Sequence, residues 1–127
     1  MKKLFPKFLV KGVKNEYWRD KANLWLIILS LLVNIINWVV LLVLLRPATE
    51  NIILHYNVYF GVDQVGKRFQ AFVLPVIGFI IFLVNLFLSR YFFRNNEMVA
   101  SYILLLSVFM AQLSLIIASI SVIIINY

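Results

Sequence analysis

A chain of 127 residues that is 64% hydrophobic and only 13% charged cannot hide its apolar side chains in a water-soluble fold of that size, because too much of a small domain is surface. Lipid is therefore the expected solvent. The absence of cysteine excludes disulfides and thiolate chemistry, and the net charge of +7 is concentrated before Asn23, which argues against a nucleic-acid groove spread over a polar surface.

Residues 1–23, opening "MKKLFPKFLVKGVKNEYWRDK", form a basic cytoplasmic or interfacial segment holding seven of the twelve Lys and Arg residues. Lys3, Lys7, Lys11 and Lys14 recur at helical spacing, and Leu4, Phe5, Phe8, Leu9, Val13 and Tyr17 fill much of the other side. One reading is a short interfacial helix on anionic headgroups, each basic residue contributing on the order of 1 kcal/mol. The other is a frayed tail whose charges set topology, which Pro6 and Gly12 support. Trp18 and Trp25 suit an inner aromatic belt under either reading.

Three apolar runs without a charged residue follow, at about 24–45, 69–88 and 99–125. A spanning helix needs ~20 apolar residues to cross a hydrocarbon core of about 30 Å, and each run is long enough. The predicted fold is an all-α membrane protein. Its transmembrane domain, residues 24–127, holds three helices and an outer loop at 46–68. Lys2, Lys3, Lys7, Lys11, Lys14, Arg19, Lys21, Arg90 and Arg94 lie on one side of the membrane, against Arg46, Lys67 and Arg68 on the other. That asymmetry predicts a cytoplasmic N-terminus and an extracytoplasmic C-terminus. A cleaved signal peptide is the rival for the first run. The run is too long for one, and "LLRPATE" lacks a small-residue cleavage site.

Helices in lipid associate through small and amide side chains, so a seam of such residues marks a contact face. On the first run the seam is Asn23, Ile27, Ser30, Asn34, Asn37 and Leu41. On the second it is Ala71, Pro75, Gly78, Phe82, Asn85 and Ser89. On the third it is Ala100, Leu104, Ser107, Ala111, Ser114, Ala118 and Ser121, the clearest of the three. Asn34, Asn37 and Gln112 sit near mid-membrane, with Asn85 level with Ser30 and Ser107, and an unpaired amide in hydrocarbon costs several kcal/mol. These groups are expected to bond one another. Gln112 lies off the serine seam, at the angle of Ser101 and Ser119, and that second polar stripe is expected to face another helix or a second protein. No Asp, Glu, Lys, Arg or His lies within a run, so the polar residues read as structural glue rather than a conduit.

In the loop, Ile52, Leu54, Tyr56, Val58 and Phe60 alternate with Ile53, His55, Asn57 and Tyr59, which predicts an extended segment stopped by Gly61. His55, the only histidine, lies near Asn57, Asp63 and Glu50. A zinc site wants three or four His, Cys or carboxylate ligands, which this set does not supply convincingly. The expected role of His55 is a structural hydrogen bond, with an extracytoplasmic pH response the function open to it if it titrates. No catalytic residue, metal or cofactor is expected.

The order "RP…IILHYN…FGVD…K…P", from Arg46 through His55, Asn57, Gly61, Asp63 and Lys67 to Pro75, resembles a bacterial membrane domain of unknown function found at the N-terminus of SdpI-type immunity proteins. The resemblance covers roughly residues 25–90. It implies a first membrane helix, a histidine- and asparagine-containing loop element, a "G-x-x-D" turn, and a second helix containing proline. By position it carries over His55, Asn57, Gly61, Asp63 and Lys67. Ile53 departs from the family's proline two residues before the histidine, and the second half of an SdpI-type protein is absent.

The expected function is a non-enzymatic interaction or accessory role of a small polytopic membrane protein. The alternatives are SdpI-like immunity or sensing, and an oligomeric transporter or channel component. The expected partners are the lipid bilayer and a membrane protein or further copies of the chain. Nucleic acid and small-molecule substrates are not expected.

Overall fold

The computed structural model describes residues 16–45 and 51–127, so the expected helix or tail at 1–15, and Arg46 and Glu50, lie outside the described residues. After one helical turn at 16–19, Asp20 leaves the helical conformation (ψ 116) and its side chain accepts from the backbone N–H of Asn23 at 3.1 Å. An acidic N-cap satisfies an otherwise orphaned donor and complements the helix dipole. Helix α1 then runs Lys21–Leu44.

A two-stranded antiparallel hairpin follows, β1 Ile52–Asn57 and β2 Gly61–Gly66. The loop is thus a hairpin and not one extended segment. The partner strand "GVDQVG" is short, with glycine at both ends, and gives little alternation to recognise. A 3₁₀ turn, Arg68–Phe72, leads into α2, Val73–Arg94. Pro75 stands in the first turn of α2, where a missing N–H removes no intrahelical bond.

The expected connection at 89–98 is helical as far as Arg94, because charge alone does not stop a helix and no breaker precedes Asn95. What ends α2 is Asn96, in the left-handed region at φ 62. The N–H of Glu97 reaches the carbonyl of Phe92 at 2.9 Å and that of Asn96 reaches Phe93 at 3.2 Å, the paired bonds of a Schellman ending. So short a turn sets α3, Met98–Ile125, antiparallel against α2.

At 1.5 Å per residue the helices measure roughly 33 to 42 Å, and all three are long and apolar enough to cross a membrane. α3 packs along both other helices, and α1 and α2 touch each other less. On α1 the buried face is Asn23, Ser30, Asn34, Asn37 and Leu41, and on α2 it includes Pro75, Gly78, Phe82 and Ser89. On α3 the second polar stripe, Ser101, Gln112 and Ser119, turns inward, one of the two placements expected of it, and the serine seam does not. The buried face of α3 is Ser101, Leu105, Val108, Gln112, Ser119 and Val122, whereas Ser107, Ser114 and Ser121 face outward. The cause is hydrogen-bond capacity. Each outward serine donates to the carbonyl four residues back, Ile103, Met110 or Ile117, at 2.7 to 3.0 Å. A serine satisfied within its own helix tolerates lipid, but a glutamine amide has too many donors and acceptors for that. Gln112 therefore decides which side of α3 turns inward.

Candidate functional site

The end of the bundle where α1 and α3 finish carries the hairpin as a fixed platform. Ile52 is buried with Leu41, Leu45, Ala71, Val122 and Ile123, and Leu54 packs against this cluster. Asn126, just past α3, binds β1 through its side-chain amide. Its Oδ1 accepts from the N–H of Ile53 at 2.8 Å and its Nδ2 donates to the Ile53 carbonyl at 2.6 Å. The Arg68 guanidinium donates from Nε and Nη2 to the Leu45 carbonyl at 3.1 and 3.0 Å, and lies 5.8 Å from the Phe72 ring centroid. A cation there satisfies open carbonyls at the negative end of the α1 dipole.

The residues singled out in the loop divide by role. Asn57 and Gly61 are turn-makers. Asn57 Oδ1 accepts from the N–H of Tyr59 at 2.8 Å, while Gly61, paired with Asn57, has φ 80. A three-residue connection closed by a left-handed glycine is a standard hairpin solution, and the asparagine side chain supports it. His55 is exposed on β1, opposite Gln64. Asp63 lies in β2, its side chain outside the described set. Lys67 is exposed at the start of the 3₁₀ turn, where its backbone N–H donates to Gln70 Oε1 at 2.8 Å. Gly66 permits that approach, because a Cβ there would collide with Gln70 Oε1 and come within 2.6 Å of Leu54 Cδ1. Among the described residues, no group of three or more His, Asp or Glu gathers to hold a metal.

What the platform presents is apolar. Val58, Tyr59 and Phe60 at the hairpin tip are 86%, 90% and 84% exposed, and Tyr56, Val62, Val65 and Phe69 are exposed as well. Sequence reasoning placed some of these residues on an extended segment but missed their grouping, and it missed Asn126 and Arg68 as anchors. The signal for Asn126 is slight, a single amide just past a long apolar run.

Inside the bundle, Asn34 Nδ2 donates to Gln112 Oε1 at 3.1 Å and to the Pro75 carbonyl at 3.0 Å, and Gln112 Nε2 donates to the Gly78 carbonyl at 2.8 Å. Gly78 makes room, since a Cβ would lie 2.6 Å from Gln112 Oε1 and 2.8 Å from Asn34 Nδ2. The other expected contacts differ. Asn85 is half-buried and donates to the Ile81 carbonyl of its own helix at 2.9 Å. Asn37 is fully buried, yet neither amide atom has a hydrogen-bond partner among the described residues. It stands three residues beyond Asn34, and three residues beyond Gln112 on α3 is Leu115, which offers nothing polar. Among the described residues, Ser107 and Ser114 make no hydrogen bond between helices, for the reason given above.

At the opposite end, Tyr17, Ser89 and Ser101 form a buried chain of hydroxyls, with Tyr17 Oη 3.1 Å from Ser89 Oγ and Ser89 Oγ 2.6 Å from Ser101 Oγ. The Tyr102 hydroxyl donates to Asp20 Oδ2 at 2.6 Å. These contacts tie the turn at 16–19 and the start of α1 to both other helices.

No protein-family model, curated protein or solved structure matches this chain.

Proposed function

We propose that this chain is a non-enzymatic interaction protein of the bacterial inner membrane, whose bundle holds the hairpin tip against a membrane-protein partner outside the cytoplasm. The observation that carries this is the exposed trio Val58, Tyr59 and Phe60 on a hairpin clamped by Asn126, with Arg68 holding the following turn to the end of α1. Exposed aromatic side chains on a preorganised element supply binding area at low entropic cost. The orientation rests on the Lys and Arg asymmetry. A photo-crosslinking residue at position 59 in native membranes is expected to give a discrete protein adduct, lost on Phe60→Ser, while the same probe at Val43 gives lipid adducts alone. Lipid adducts alone at position 59 would overturn the reading.

The SdpI-like sensing alternative draws support from one point, that Asn57 and Gly61 of the resembling motif build the turn presenting the trio. Under it, the His55→Ala variant loses protection or signalling at unchanged protein level. A conduit has less in its favour, because Gln112, Asn34 and Gly78 fill the middle of the bundle.

A further inference from the structure

Arg90 lies one turn before the end of α2, and no hydrogen bond or ion pair to a described residue holds its side chain. Its guanidinium carbon is 5.8 Å from the centroid of the Trp18 ring, Nε is enclosed without a hydrogen-bond partner, and no described residue bonds the two terminal nitrogens. The carboxylates at this end are committed or turned to the surroundings. Asp20 accepts from Tyr102 and from the N–H of Asn23, and Glu16 and Glu97 are exposed without pairing to Arg90. Residues 1–15, which lie outside the described residues, contain five lysines and no Asp or Glu.

A buried guanidinium N–H without an acceptor is costly, and here that N–H is the one on Nε. The planar fork of the guanidinium matches the oxygens of a phosphate. Trp18 is 45% exposed and Tyr91, the next residue along α2, is exposed as well, which is the aromatic setting of a bilayer's headgroup level. We propose that Arg90, laid over Trp18, is a binding site for the phosphate of an anionic phospholipid in the leaflet at the N-terminal end of the bundle. The site is independent of the hairpin and of which leaflet is cytoplasmic.

The test is native mass spectrometry of the detergent-purified protein titrated with phosphatidylglycerol or phosphatidylcholine. Wild type is expected to retain phosphatidylglycerol in preference to phosphatidylcholine, and Arg90→Gln to weaken that retention by about fivefold, the size of one basic residue's attraction to an anionic surface. Arg94→Gln, on the exposed side of the last turn, is expected to change it less. If Arg90→Gln does not fold, Arg90→Lys serves, because it keeps the charge and loses the fork, and an intermediate loss is expected. Equal retention of the two lipids, or of phosphatidylglycerol by wild type and the Arg90 variant, overturns the proposal. So does displacement of the lipid by inorganic phosphate at equal concentration, which would assign the site to a free anion.

Discussion

The side-chain amide of Asn126 bonds both backbone groups of Ile53, as a neighbouring strand would, and so joins the end of α3 to the first strand of the hairpin. The two residues are 73 positions apart, and their contact ties the platform to the third helix rather than to the first, from which the chain enters it.

Removing that amide should loosen the hairpin without unfolding the bundle. Asn126→Ala leaves two β1 backbone groups without their partner, a loss of about 1–3 kcal/mol if they stay buried. Hydrogen exchange at the Ile53 amide is expected to accelerate, while amides in the middle of α1 and α3 keep their protection. Acceleration throughout the helices would show that the clamp holds the bundle as well.

Gly78 should tolerate no side chain. Its added Cβ would sit within 2.6 Å of Gln112 Oε1, so Gly78→Ala must push the glutamine away from Asn34. The expected loss is about 1–3 kcal/mol, the usual cost of overfilling a packed interior. It is read as a lower unfolding midpoint in a mixed-micelle titration. An unchanged midpoint would mean that the amide pair relocates freely.

Asn37 predicts a gain. Its amide is fully buried with no hydrogen-bond partner among the described residues, so replacing it with leucine removes a desolvation penalty of order 1–3 kcal/mol at similar volume. Asn37→Leu is expected to raise the same midpoint. A fall would reveal a partner at this position, a trapped water or a second chain.

Alkaline pH should weaken the N-terminal end. Burial raises the Tyr17 hydroxyl above its ordinary value of 10.0, against the opposing effects of the Ser89 hydrogen bond and the nearby Arg90 charge. The folded state thus holds this proton more tightly than the unfolded chain. Its contribution to stability is complete below a pH of about 10 and declines as pH climbs through the higher folded value. Thermal unfolding in detergent between pH 8 and 11 is expected to fall more steeply for wild type than for Tyr17→Phe. Parallel curves would remove Tyr17 from the explanation.

Much of the fold was legible because lipid imposes simple rules. Length and the absence of charge fixed three spans, and the amide positions of α1 and the small residues of α2 identified their inward faces. The rule failed on α3. Small size alone does not mark a contact, because Ser107 and Ser114 satisfy their hydroxyls on their own helix while Gln112 bonds other helices. Counting donors and acceptors would have chosen the other stripe. In the loop, Asn57 and Gly61 carried a hairpin signal that went unread, because β2 is held by pairing rather than by a hydrophobic alternation of its own. Asn126 and Arg68 were beyond reach, since each acts on a backbone carbonyl or strand far along the chain and nothing in the local pattern marks it.

The placement of Gln112 bears on how the molecule is made. Asn34 is synthesised 78 residues before the glutamine that accepts from it, and until then the carbonyl of Pro75 is its other recorded acceptor. The first two spans touch each other sparingly, so on the ribosome they form an unfinished pair with a polar flank waiting in the bilayer. Arrival of the third span closes that flank, aligns it and brings Asn126 to the hairpin in one event. A chain stalled before that point would carry an open amide in lipid, the kind of feature by which membrane quality control could tell an incomplete molecule from a finished one.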